Sequence, residues 1–124
     1  MTLERIDRRL LDLILSLARF APPAAVVDKH FHSPFVEGEL LEPLRSRRVD
    51  TLGITGAETD VCVLAAVLGA VDFGYRVVLA DDALCSSSDM THDALLTLYR
   101  ERFSYQIEAT EASIILSNWP ETQA

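Results

Sequence analysis

The sequence predicts an α/β fold, a three-layer α/β/α arrangement around a mainly parallel sheet. Two observations carry this. Short β-branched runs alternate with apolar or amphipathic stretches of helical length, and successive strands are separated widely enough for right-handed βαβ crossovers. The 124 residues suffice for one hydrophobic core, so residues 1–124 read as a single domain.

Each element has its own signal. Leu3, Ile6, Leu10, Leu13, Ile14 and Leu17 recur at helical spacing, and "APP" at 21–23 ends that amphipathic helix. "AAVVD", 24–28, reads as a strand, "KHFHSPF" as a loop, and residues 36–47 as a helix interrupted by Pro43. "DTLGIT", 50–55, is a second strand. "ETDVCVLAAVLGAVDF", 58–73, is a helix whose centre, from Val61 to Val71, is apolar on every face. Such a helix is expected to be buried nearly all round, beneath a sheet and a neighbouring helix or at a subunit interface. "YRVVLA", 75–80, is a third strand, "DALCSSSD" a polar loop, and "MTHDALLTLYRERF" a helix. "YQIEA", 105–109, is the last strand, "EASIILSNW" a closing helix, and "PETQA" a frayed end.

Composition narrows the function classes. A net charge of −8 and a pI near 4.7 argue against a nucleic-acid partner, whose affinity draws on clustered Lys and Arg. The one basic cluster, "RSRR" at 45–48, reads as a solvated helix end. No apolar run reaches the ~18 residues of a membrane span, and the charged start "MTLERIDRRLL" does not fit a signal peptide. A cytoplasmic protein is therefore expected, with Cys62 and Cys85 as free thiols. Of the 11 basic residues, 10 are arginine and Lys29 is the single lysine. An ammonium differs from a guanidinium in acting as a compact point charge beside a small anion.

In a parallel sheet, ligands bind where strands end and helices begin. Lys29, Cys62 and Asp82 each follow a predicted strand, which places them along one edge. A helix starting near Thr59 or Asp60 puts Cys62 in its first turn, where unpaired amides and the dipole favour a thiolate. Asp60 opposes that effect, so a nearby cation is needed, and Lys29 is the candidate. The same helix start aims amide donors at one point, as an oxyanion formed in acyl transfer requires. The residues alone leave two readings of Cys62 open, a reactive thiolate or a small core residue.

Taken together, "VVDKHFHSPF", "LGITGAETDVCV", "AVDFGYRVVLADDAL" and "HDALL" resemble the isochorismatase-like cysteine hydrolases in order and spacing. This family includes nicotinamidases and related amidases. The resemblance covers about residues 24–116, and its most specific pieces are K-x3-S-x-F (Lys29, Ser33, Phe35) and T-G-x-x-T-[DN]-x-C-V (Thr55 to Val63). It implies that Cys62 is the nucleophile and Lys29 the cation that stabilises its thiolate. It also implies a cis peptide between Ala57 and Glu58 that turns the amides of Glu58 and Cys62 toward an oxyanion. The implied reaction is hydrolysis of an amide-type C–N bond in a small-molecule substrate through a thioester, without a cofactor. Homo-oligomers are the implied assembly.

The family's third catalytic residue is an aspartate ending an early strand, and no such strand precedes Lys29. Asp7 and Asp12 lie on the amphipathic stretch, while Asp60 and Asp82, the carboxylates nearest the predicted edge, read as cap or solvated loop residues rather than as stand-ins. The chain is accordingly expected to represent an N-terminally truncated family fold. Of an incomplete reading frame, a fragment completed by another chain and a degenerate, non-catalytic α/β module, the first is the expectation. Asp28, His30 and His32 alternate in "DKHFH", a weak metal-like spacing, and no metal site is expected. His92 reads as a surface or capping residue and Cys85 as a loop packer. Phe31 and Phe35 are candidates to line a substrate pocket or to pack in the core.

Overall fold

The computed structural model describes residues 24–119, together with Leu17 and residues 19–21. Apart from Leu17, the helix expected over 3–17 lies outside them, with Asp7, Asp12 and the end 120–124.

The described chain runs α1 (Leu41–Ser46), β1 (Thr51–Ala57), α2 (Cys62–Asp72), β2 (Arg76–Cys85), α3 (Asp89–Arg102), β3 (Ile107–Thr110) and α4 (Ala112–Ser117). The strands form a parallel sheet in the order β1-β2-β3, with Thr51 opposite Arg76 and Val77 opposite Ile107. The α/β architecture with a parallel sheet and flanking helices is the one the sequence predicts.

Because side chains alternate along a strand, the two faces of the sheet divide the helices. Val77, Leu79 and Ile107 are buried with Val63, Val67 and Ala70 of α2 and Tyr99 of α3. On the opposite face α4 and the residues after it cover Gly53 and Val78, and a Cβ on Gly53 would sit 3.6 Å from the Trp119 ring.

Helix α2 is buried along one stripe, Val63, Val67 and Ala70, while Leu68 is exposed. Within the chain, burial of α2 is thus one-sided, and of the two expected alternatives the sheet and a neighbouring helix do not enclose it all round. Spacings of three and four residues place these three on the face turned to the sheet, and each buried valine contributes roughly 1.5–3 kcal/mol. The helix also starts later than expected. Val61, at φ −127° and ψ −94°, is outside the helical region, and the amides of Val61 and Val63 both donate to the Glu58 carbonyl.

Three other expectations are corrected. Residues 24–28 form no strand: among the described residues the sheet ends at β1, and without a ladder partner the segment has no regular structure, with Val26 exposed. The helix expected over 36–47 shrinks to α1, because turns at 34–40, including Gly38 at φ 77°, precede it. Pro43 falls in its first turn, where a missing amide costs little. Strand β2 runs on to Cys85, through part of the predicted polar loop, and after a register shift pairs Leu84 with Gly56 and Cys85 with Ala57. Asp82 therefore lies within a strand. Helix α3 falls close to its predicted span, with Ser88 as N-cap accepting from the Thr91 amide.

Candidate active site

The end of β1 and the start of α2 build the site. Gly56 takes φ 113°, a conformation that favours glycine, and the peptide bond between Ala57 and Glu58 is cis. Residues 58–61 then turn the chain into α2, whose first residue is Cys62. The Glu58 carbonyl takes the amides of Val61 and Val63 at 3.1 and 3.0 Å. The amides of Glu58 and Cys62 donate to no acceptor among the described residues.

A polar shell holds this turn from the β2–α3 side. Thr59 is fully buried; its amide donates to the Cys85 carbonyl at 3.0 Å, and its hydroxyl lies 2.7 Å from His92 Nδ1. The Tyr99 hydroxyl donates to the Thr59 carbonyl at 3.1 Å. Burial pushes the Tyr99 phenol up to about 12. Glu58 accepts the Ser87 amide at 3.0 Å, and Asp60 accepts the Ser86 hydroxyl at 2.6 Å. Hydrogen bonds from the Ser86 and Thr91 hydroxyls hold the Asp60 carboxyl below its usual range.

The third contribution is the loop of residues 29–37. Phe35 is buried against α2, where a Cβ on Gly69 would come within 2.7 Å of its ring, and stacks at a tilt on Phe73 at 5.3 Å. Phe35 is therefore a core residue, and of the two pocket candidates only Phe31 is exposed. Seven residues separate Gly69 from Cys62, so both lie on one face of α2. The loop running back from Phe35 brings His32 Nδ1 to 3.6 Å from Cys62 Sγ. His30 is drawn elsewhere, with Nδ1 2.8 Å from Glu37 Oε1. The Glu37 carboxylate raises the His30 pKa and is itself lowered by the bond. With partners on different elements, the two histidines do not converge on a common ligand.

The predicted site residues therefore divide. Cys62, Ala57 and Glu58 come together at the β1–α2 turn. Lys29 is exposed on the loop, its Nζ donating to the Phe31 carbonyl at 3.0 Å, and the polar contact to Sγ comes from His32 instead. Asp82 caps the start of α4 by accepting the Ala112 amide at 2.8 Å. Asp60 faces Ser86. Neither is engaged with Cys62. Thr59, His92 and Tyr99 as a brace, and His32 as a neighbour of the thiol, are absent from the sequence reading. No local spacing signals them, since the alternation in "DKHFH" groups His32 with His30.

Comparison with known proteins places the chain among relatives of one family. A relative from Dictyostelium discoideum, "Isochorismatase family protein 1B", is 39% identical over 79 residues, covering 62% of this chain and 37% of its own length. "Secreted isochorismatase effector Isc1" of Phytophthora sojae is 33% identical over 101 residues, 79% of this chain and 47% of that protein. A pyrazinamidase/nicotinamidase structure from Streptococcus mutans superposes with a TM-score of 0.66 at 31% identity, covering 79% of this chain and 54% of that one. The chain thus spans about half the length, or less, of these relatives. Among the described residues no helix is long and apolar enough to cross a membrane. One of these relatives is named as secreted, so compartment does not follow from family. The model of the Isochorismatase domain matches residues 6–111, across the loop, the cis peptide and the Cys62 helix alike, and the chain belongs to the isochorismatase family.

Proposed function

We propose that the chain carries the nucleophile of a cysteine hydrolase that cleaves an amide-type C–N bond in a small molecule. The observation that carries this reading is the start of α2, where Cys62 is the first helical residue and the amides of Glu58 and Cys62 have no acceptor among the described residues. The thiolate attacks the carbonyl carbon, the oxyanion takes the two amides, the amine departs, and water hydrolyses the resulting thioester. Lys29 contributes positive charge to the thiolate on this reading. The names of several structural neighbours, nicotinamidases among them, support a small carboxamide as substrate. The assembly on this reading is a homo-oligomer, which the mass in solution tests.

A non-catalytic module acting through assembly is the second reading. It is favoured by the carboxylates of Asp60 and Asp82, which are engaged with Ser86 and Ala112 rather than with Cys62. An acid–base group contributes roughly 10²–10⁴ in rate, and neither of these two carboxylates is placed to supply it.

Incubation with nicotinamide as probe, followed by intact-mass measurement after acid quench, tests the first reading. An acyl adduct that maps to Cys62 and disappears in Cys62→Ser is expected. An unmodified Cys62, together with an iodoacetamide rate at pH 6 equal to that of a free thiol and unchanged by Lys29→Ala, would favour the module.

A further inference from the structure

We infer that His32 is the proton-transfer partner of Cys62, so that the chain carries its own thiol–imidazole pair. The inference rests on Cys62 being the nucleophile and adds the group that takes and returns its proton. It starts from the packing of the loop. Phe35 is fixed on Gly69, and the seven residues of α2 from Gly69 back to Cys62 rise about 10 Å. The three residues from Phe35 back to His32 span at most about 10 Å when extended. The loop thus returns His32 to the level of Cys62, where Nδ1 stands 3.6 Å from Sγ, within hydrogen-bond reach for sulfur. Ser33 supports this path, its hydroxyl accepting the Phe35 amide at 3.2 Å.

With its ring proton on Nε2, His32 offers the Nδ1 lone pair to the thiol. The S–H bond breaks as the N–H bond forms, leaving a thiolate and an imidazolium. The sulfur pair then attacks the carbonyl carbon, and the C=O π pair moves to oxygen beside the amides of Glu58 and Cys62. When the C=O bond re-forms, the C–N bond breaks, and the departing amine takes the Nδ1 proton, which restores neutral imidazole. The same nitrogen next accepts a proton from the water that attacks the thioester and returns it to the leaving sulfur. No oxidant, metal or second carboxylate is needed for the proton balance.

Among the described residues, the elements that carry the pair bring these charged groups with them. The loop contributes Asp28, Lys29 and His30, the last held by Glu37; the turn before α2 contributes Glu58, bonded to the Ser87 amide, and Asp60, bonded to Ser86. The imidazole is the basic group in contact with sulfur.

The test uses the full chain with Cys85→Ser, so that Cys62 is the only thiol. Iodoacetamide rates and the thiolate absorbance near 240 nm are followed from pH 5 to 9, with Cys62→Ser as blank. With His32 present, a thiolate signal that persists at pH 6 is expected. His32→Phe is expected to lower the pH 6 rate about tenfold or more, and added imidazole partly restores it. His32 is exposed, and circular dichroism checks that the variant is folded. A pH profile that is the same with and without His32 overturns the pair but leaves Cys62 as a nucleophile. A parent thiol as slow as a free cysteine at pH 6 overturns both.

Discussion

Thr59 and His92, 33 residues apart in sequence, are joined by a 2.7 Å contact between the threonine hydroxyl and Nδ1 that ties the turn before Cys62 to the first turn of α3. Because Thr59 is fully buried, neither replacement of the hydroxyl nor loss of the ring can be repaired by water. Thr59→Val and His92→Leu are each expected to cost about 1–3 kcal/mol in urea denaturation, and the double variant less than their sum. Strictly additive costs in that cycle would show that the contact contributes nothing.

The third polar atom of Thr59, its carbonyl oxygen, accepts from Tyr99, whose phenol burial pushes up to about 12 from the usual 10. A folded-state pKa above the unfolded one means that the stability is fully present below pH 10 and is lost as pH rises through about 12. The expected loss over that window is on the order of 2 kcal/mol. Tyr99→Phe removes the hydrogen bond, at about 1 kcal/mol near neutral pH, and with it this alkaline component. Chemical denaturation at pH 8 and 11 of both proteins measures the difference, and equal alkaline losses would contradict it.

How much of this was legible in the sequence depends on the range of the contact involved. Helices α2 and α3 and the strands they join are local in pattern, and the glycine, threonine and acidic residues before Cys62 mark a strand-to-helix turn within a few positions. A strand at 24–28 was not excluded by its own residues, because "AAVVD" has the right composition and lacks only a neighbour to pair with. The contacts of His32 with Cys62 and of His92 with Thr59 span 30 and 33 residues and are set by how Phe35 seats on Gly69 and how α3 crosses β3. No local spacing encodes them. Lys29 was placed by resemblance and His32 by packing, and a one-dimensional reading has access only to the first.

The seat of Phe35 is therefore a test of the site as well as of the core. Gly69 is the point of closest approach, since a Cβ there would stand 2.7 Å from Cδ2, and the ring cannot retreat while it is buried and stacked on Phe73. Gly69→Ala is expected to destabilise the protein by about 1–3 kcal/mol despite the better helix propensity of alanine. Phe35→Leu in the same chain should recover part of that loss by vacating the space. If Gly69→Ala were instead stabilising in thermal unfolding, the ring would not be fixed on α2, and the path that brings His32 to Cys62 would lose its anchor.

The other end of the loop is held by charge. His30 Nδ1 lies 2.8 Å from Glu37 Oε1, and the His30 amide donates to Glu37 Oε2 at 3.0 Å, so one carboxylate closes the span 30–37 that contains His32. The bond raises His30 above 6.5, so its contribution is present below pH 6.5 and is lost as pH rises through the folded value. It lowers Glu37 below 4.5, so that contribution is present above pH 4.5 and is lost as pH falls through its folded value. The clasp is therefore complete between those limits, and it opens on the alkaline side by loss of the His30 proton rather than of any group at Cys62. Proton NMR titration should show the His30 midpoint falling toward 6.5 in Glu37→Gln, with amide exchange across residues 30–37 becoming faster at pH 6 in that variant. A His30 midpoint that ignores Glu37→Gln would mean that the carboxylate does not close the loop, and that Phe35 alone keeps His32 in reach of the thiol.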